Sequence, residues 1–297
     1  MAASVHLRLR KLPTGLATYP RVVFNRRPAI TEVSDPPVFT ANVGGVALSR
    51  ASVAKYAKVC GYGDCIPPTY LHVLAMPLHL EIFACASFPL RPMGLIHLSN
   101  VIEIRSALRY GMRLDFSVSA RNYRRTDAGL AFDMATEISH EGRPVWLETC
   151  VFLSRWPESA ERGGVRPPRP PKAPKDAAVL AELDVTSRTA WDYARVSTDY
   201  NPIHLSDRIA RYLGLRGAIS HGMWSLARSL AQPPVPALAA GTTIETQFLT
   251  PVQLPARVAI KEWMAEGQQQ RALCDVRTGR LHMYSSWSVV PPAQHAA

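Results

Sequence analysis

Of the 297 residues, those best equipped for chemistry cluster at positions 197–227, STDYNPIHLSDRIARYLGLRGAISHGMWSLA. Asn201-Pro202 reads as a helix start, since Asn caps exposed N–H groups and Pro suits the first helical position. The helix is predicted to run to about Leu213, with Gly214 as its stop. Asp199 then lies just before the cap and His204 in the first turn, so a carboxylate and an imidazole can converge on one small group. A helix N-terminus disfavours a second positive charge, which would keep His204 neutral at pH 7 and able to accept a proton. Downstream, His221-Gly222 opens a second helix. Gly lets a substrate approach the backbone closely, and an unpaired N–H at a helix start can stabilise a developing oxyanion. One base, one acid and one oxyanion donor suit addition of water across a double bond conjugated to a carbonyl, or its reversal. No Ser or Cys triad, phosphate-binding Gly loop or metal-ligand spacing accompanies them.

Around this core, Asn201 reads first as a cap and Tyr200 as a lining residue. His221 either orients the loop or touches substrate, and Ser225 sits one turn further on. His72 and His79, on another apolar run, read as polar groups of a buried helix.

The elements that must position these residues repeat. AKYAKVCGYG (54–63) lines up with WDYARVSTDY (191–200), matching Tyr56 to Tyr193, Ala57 to Ala194 and Val59 to Val196. TYLHVLAMPL (69–78) lines up with AISHGMWSLA (218–227), setting His72 against His221 and Val73 against Gly222. Each match leads into an apolar run, 70–86 and 222–231, and then into segments of period-2 alternation: 95–108, 113–126, 131–139 and 145–156 in the first half; 242–253, 257–266, 271–278 and 282–290 in the second. Alternation broken by Gly and Pro predicts antiparallel strands. Each half is thus expected to be one apolar helix wrapped by an antiparallel sheet, an α+β architecture. The order is a basic irregular arm (1–37), an N-terminal domain (38–156), a Pro-rich basic linker (157–176) and a C-terminal domain carrying the chemistry (177–297).

The net charge of +11 invites a nucleic-acid reading, but its placement argues against one. Residues 1–31 carry Arg8, Arg10, Lys11, Arg21, Arg26 and Arg27 and no acid. Residues 155–175 carry six basic residues against Glu158 and Glu161. The rest is nearly neutral, so no folded face is strongly basic. The arm resembles a transit peptide in charge, yet Pro13, Gly15 and Pro20 are expected to interrupt any amphipathic helix. Residues 70–90 are apolar enough to span a bilayer, but His72, His79 and Glu81 make a buried helix the better assignment. Five scattered cysteines read as reduced thiols in a cytoplasmic protein.

The motif D-Y-N-P-I-H (199–204) followed by H-G-M (221–223) resembles the signature of the MaoC-like, or hydratase 2, family of hot-dog-fold dehydratases. The resemblance implies a tandem double hot-dog fold. It gives Asp199 and His204 the water and the Gly222 N–H the thioester carbonyl, with Asn201, Tyr200, His221 and Ser225 lining the substrate. It implies interconversion of trans-2-enoyl and (R)-3-hydroxyacyl thioesters of coenzyme A or acyl carrier protein. The first half would keep the fold without the catalytic residues and house the acyl chain. No separate cofactor, metal, nucleic acid or membrane span is implied; a homodimer is compatible. The alternatives are an acyl-thioester hydrolase on the same fold and a non-catalytic acyl-thioester-binding subunit. Two positions depart from the family pattern: Thr198 stands where Gly is common before the Asp, and Ala227 where some members carry Ser.

Overall fold

The computed structural model describes residues 4–23, 36–156, 170–232 and 240–289. The first half contains β1 (Ser4–Leu9), α1 (Gly15–Val23), β2 (Val38–Ala47), α2 (Arg50–Cys60), α3 (Tyr70–Ala84), β3 (Ile96–Ile104), β4 (Arg113–Thr126), β5 (Gly129–His140) and β6 (Arg143–Arg155). The second contains β7 (Ala178–Val185), α4 (Ser187–Ser197), α5 (Pro202–Leu205), α6 (Asp207–Tyr212), α7 (Gly222–Leu230), β8 (Thr242–Phe248), β9 (Ala256–Ala265), β10 (Gln268–Asp275) and β11 (Leu281–Val289).

The strands form one sheet in the order β1-β2-β4-β5-β6-β3-β8-β11-β10-β9-β7. Without β1, this order reads identically from either edge once β2 is equated with β7, β4 with β9, β5 with β10, β6 with β11 and β3 with β8. The duplication read from two short matches is therefore carried by the whole topology. The halves meet where β3 pairs antiparallel with β8, from Ser99 opposite Gln247 to Glu103 opposite Thr243. That seam lies within a single chain. It uses one edge of each half-sheet, an edge that would otherwise present unpaired backbone groups.

Alternation set the strands as expected. In β4, Leu114, Phe116, Val118 and Ala120 are buried while Arg113, Asp115 and Arg121 are exposed. Helix α3 is buried on nearly every side, from Tyr70, Leu71 and Val73 to Ile82 and Phe83, because it packs against β2 and β4 on one side and carries α1 on another. No described helix is long and apolar enough to cross a membrane.

Four expectations need correction. Each half begins with a strand and a helix before its apolar helix: β2 and α2 in the first, β7 and α4 in the second. The aligned segments 54–63 and 191–200 fall on α2 and α4, whose Tyr56 and Tyr193 rings meet 6.0 Å apart. The N-terminal arm is not irregular over residues 4–23. Strand β1 runs parallel to β2, placing Val5, Leu7 and Leu9 against the core and turning Arg8 outward. The basic residues had hidden a period-2 pattern. Pro20 does not prevent α1; it lies inside the helix, where packing on α3 offsets the missing N–H. Lastly, the helix after Asn201 does not run unbroken to Leu213. Ser206 takes an extended conformation and its Oγ accepts the Ile209 N–H, so it ends α5 and caps α6. The linker expected over 157–176 lies largely outside the described residues, as do residues 24–35 of the arm.

Candidate active site

Helix α4 ends at Ser197, and the chain reverses through Thr198, whose φ of 60° is left-handed. That conformation is cheap for Gly and costs a β-branched residue about 1–2 kcal/mol. It explains why Gly suits this position and why Thr198 is a strained departure. The turn delivers Asp199, half-buried, to the start of α5. Asn201 caps that helix through Oδ1, which accepts the Ile203 N–H. Its own N–H donates to Asp199 Oδ1 at 3.2 Å. Asn201 is therefore both cap and carboxylate holder.

His204 is buried in α5. Its Nδ1 lies 2.8 Å from the Ile219 carbonyl oxygen, so Nδ1 carries the hydrogen and Nε2 holds a lone pair. The Ile219 N–H returns a bond to the Ile203 carbonyl, locking α5 to the segment before α7. His221, buried at the N-cap of α7, points Nε2 at the backbone carbonyl of Asp199 at 3.0 Å. The His204 and His221 rings stack with centroids 3.9 Å apart and planes 29° apart. The donor atoms of Asp199, His204 and His221 all lie within 4.8 Å of one another.

Burial holds the His204 pKa below 6.5, although Asp199 and the Ile219 bond pull upward. Burial therefore favours the neutral form of His204 at pH 7. Burial, reinforced by His204, pushes His221 to about 3. At Asp199 burial acts upward, but His221, His204 and the hydrogen bonds from the Asn201 N–H and Tyr19 outweigh it, and the carboxyl sits below 3.8. An ionised acid and a neutral imidazole with a free lone pair therefore stand within 4.8 Å of each other.

Gly222 opens α7, where no side chain caps the helix and the first N–H groups are free for a ligand oxygen. A Cβ at Gly222 would stand 3.2 Å from two ring carbons of Phe248. A side chain here would make the Phe248 ring give way, because the start of α7 is seated closely on the end of β8. Beyond Phe248 come His97, centroid 4.7 Å away, and then Phe152, 4.8 Å from His97. Ser225 Oγ donates to the His221 carbonyl at 3.2 Å; its hydroxyl braces the helix and is not directed at the Asp199–His204 pair. Tyr200 is half-buried beside Asp199.

Sequence reasoning missed Tyr19. Its O–H donates to Asp199 Oδ1 at 3.2 Å from 180 residues away, and no local pattern signals so distant a contact. Also missed was the full cluster inside the first half. His72 Nδ1 lies 2.9 Å from both Glu148 oxygens, Asn100 donates to Glu148 at 2.6 Å and to Cys150 at 3.3 Å, and His79 Nε2 meets Thr136 at 3.1 Å. The structural role expected of His72 and His79 agrees with these partners.

Among the described residues, His72, Glu148 and Cys150 also bring ligand-type atoms within 4.8 Å of one another. The carboxylate of Glu148 accepts from His72 and Asn100, and burial raises the Cys150 thiol well above 9.0. A groove of about 400 Å³ lined by Arg8, Asn42, Asp115 and Glu137 lies elsewhere, on β1, β2, β4 and β5.

Comparison with known proteins agrees with this construction. Residues 169–284 match the model of the MaoC like domain. The chain is 31% identical over 273 residues to 3-hydroxyacyl-thioester dehydratase X of Mycobacterium tuberculosis, covering 91% of this chain and 96% of that one. The crystal structure of HtdX from the same organism superposes with a TM-score of 0.73 at 26% identity, covering 84% of this chain and all of that one. Rv0216, also of M. tuberculosis and described as a double hot-dog fold, gives a TM-score of 0.54 at 14% identity, over 88% of this chain and 97% of that one, a likeness of fold alone. The chain belongs to the MaoC-like family and has its double hot-dog fold.

Proposed function

We propose that the protein is a hydro-lyase that interconverts trans-2-enoyl and (R)-3-hydroxyacyl thioesters. The observation that carries this reading is the neutral His204, its Nε2 free, beside an ionised Asp199 and the uncapped start of α7. The similar dehydratase from M. tuberculosis supports the reaction class, and the R configuration follows the family resemblance.

In the hydration direction, Asp199 and His204 Nε2 hold one water. As the water oxygen bonds to C3, its proton passes to Nε2, and the C2–C3 π electrons move onto the thioester oxygen. The Gly222 N–H stabilises that enolate. The proton on His204 is then delivered to C2, and the base is restored. The reaction is redox-neutral, so these groups suffice without a separate cofactor. Coenzyme A or an acyl carrier protein would supply the thiol, in the cytoplasm.

The test is loss of the enoyl absorbance on mixing the protein with enoyl-CoAs of graded length and with the carrier-protein thioester. Hydration with no free thiol is the expected result. Release of thiol would instead assign a hydrolase, and no turnover on any thioester a binding subunit.

A further inference from the structure

We propose that Tyr19, on the N-terminal helix α1, is a positioning residue for Asp199, so that the catalytic pair of the second half is completed by a residue from the start of the chain. This deepens the reading above and rests on it.

The contact is built, not incidental. Helix α1 lies on α3, with Val22 buried. Thr18, also buried, donates to Glu81 at 2.6 Å, and Arg21 pairs with the same carboxylate at 3.1 Å. Glu81 therefore clamps α1 on both sides of residue 19. Tyr19, between the two clamps, is left to reach Asp199.

Both donors to the Asp199 side chain, the Tyr19 O–H and the Asn201 N–H, meet Oδ1. Two donors on one oxygen fix the plane of the carboxylate and leave Oδ2 to the water. Burial and the neighbouring Asp199 raise the Tyr19 phenol far above 10.0, so it stays a neutral donor throughout the working pH range. The other titratable groups around Asp199 are His204 of α5, His221 at the start of α7, Tyr193 of α4 and, further off, His72 of α3 and His97 of β3. Tyr19 is the one that enters from the N-terminal segment.

The experiment compares the full-length protein with Tyr19→Phe, which keeps the ring and removes the donor. Hydration of crotonyl-CoA is expected to show kcat lowered by about tenfold, the order expected for a lost hydrogen bond to a charged group, with KM changed less than about twofold. A ¹³C titration of the Asp199 carboxyl should move its midpoint to higher pH, because a bond that favours the ionised form is gone. Thr18→Val, which loosens the clamp without touching Asp199, should move both readings in the same direction by less. Wild-type kcat with an unmoved Asp199 midpoint in Tyr19→Phe would overturn the proposal, as would a rise in kcat/KM, which would make the phenol an obstruction. The carboxyl titration needs no turnover, so it reads the Tyr19 contact even if the wild-type protein hydrates nothing and the proposed reaction fails.

Discussion

The two halves share a frame and place a histidine at matching positions, His72 near the start of α3 and His221 at the start of α7, but they treat the polar groups there in opposite ways. In the first half Glu148 accepts from His72 and Asn100 in a fully buried cluster. Glu148 pulls His72 above 6.5 despite burial, and His72 with Asn100 holds Glu148 below 4.5. Charge is spent on charge. In the second half the short helices α5 and α6 stand before α7, a region with no counterpart before α3. They bring His204 beside Asp199 with each group only partly satisfied. A half-sheet whose buried carboxylate is committed to His72 and Asn100 is structure; the same half-sheet with a lone pair and a carboxylate oxygen in reserve can do chemistry.

This contrast can be broken at several points. Glu148→Ala leaves a buried imidazole without its partner and should cost about 3–5 kcal/mol of stability in urea unfolding, while hydration per folded molecule is retained. The difference from wild type should also depend on pH. The Glu148 contribution is present above its unfolded value of 4.5 and is lost as pH falls through its lower folded value. The His72 contribution is full below 6.5 and is lost as pH rises through its higher folded value. The gap should therefore be widest between those two values. A gap independent of pH would make the pair neutral packing.

In the second half the order of effects reverses. Asp199→Asn should lower kcat at least about a hundredfold and leave the unfolding midpoint nearly unchanged. Gly222→Ala pushes a methyl against Phe248 and shifts the start of α7; roughly a tenfold loss in kcat is expected. Adding Phe248→Leu should recover part of it, and equal loss in the double variant would place the fault elsewhere. Smallest is Thr198→Gly, which relieves a left-handed β-branched residue and should raise stability by about 1 kcal/mol.

Much of this was legible in the sequence because it is local. The D-Y-N-P-I-H and H-G-M spacing, the Asn201 cap and the alternating strands each depend on neighbours within a few residues. What was not legible depends on partners far along the chain. Tyr19 reaches Asp199 across 180 positions, and His72 finds Glu148 across 76. The α1 helix contains a Pro and the β1 strand carries His6 and Arg8 in an acid-free basic arm, so neither element is signalled without packing on α3 and pairing with β2. The break at Ser206 was a local signal overlooked: a Ser before Asp207 is a cap as readily as Asn201 is.

The central claim is that His204, on a helix with no counterpart in the first half, moves the proton. The most direct measurement is kcat for crotonyl-CoA hydration in His204→Ala, followed by loss of the enoyl absorbance in protein shown to be folded. A fall of at least about a hundredfold is predicted. A folded His204→Ala protein that hydrates at the wild-type rate would contradict the account.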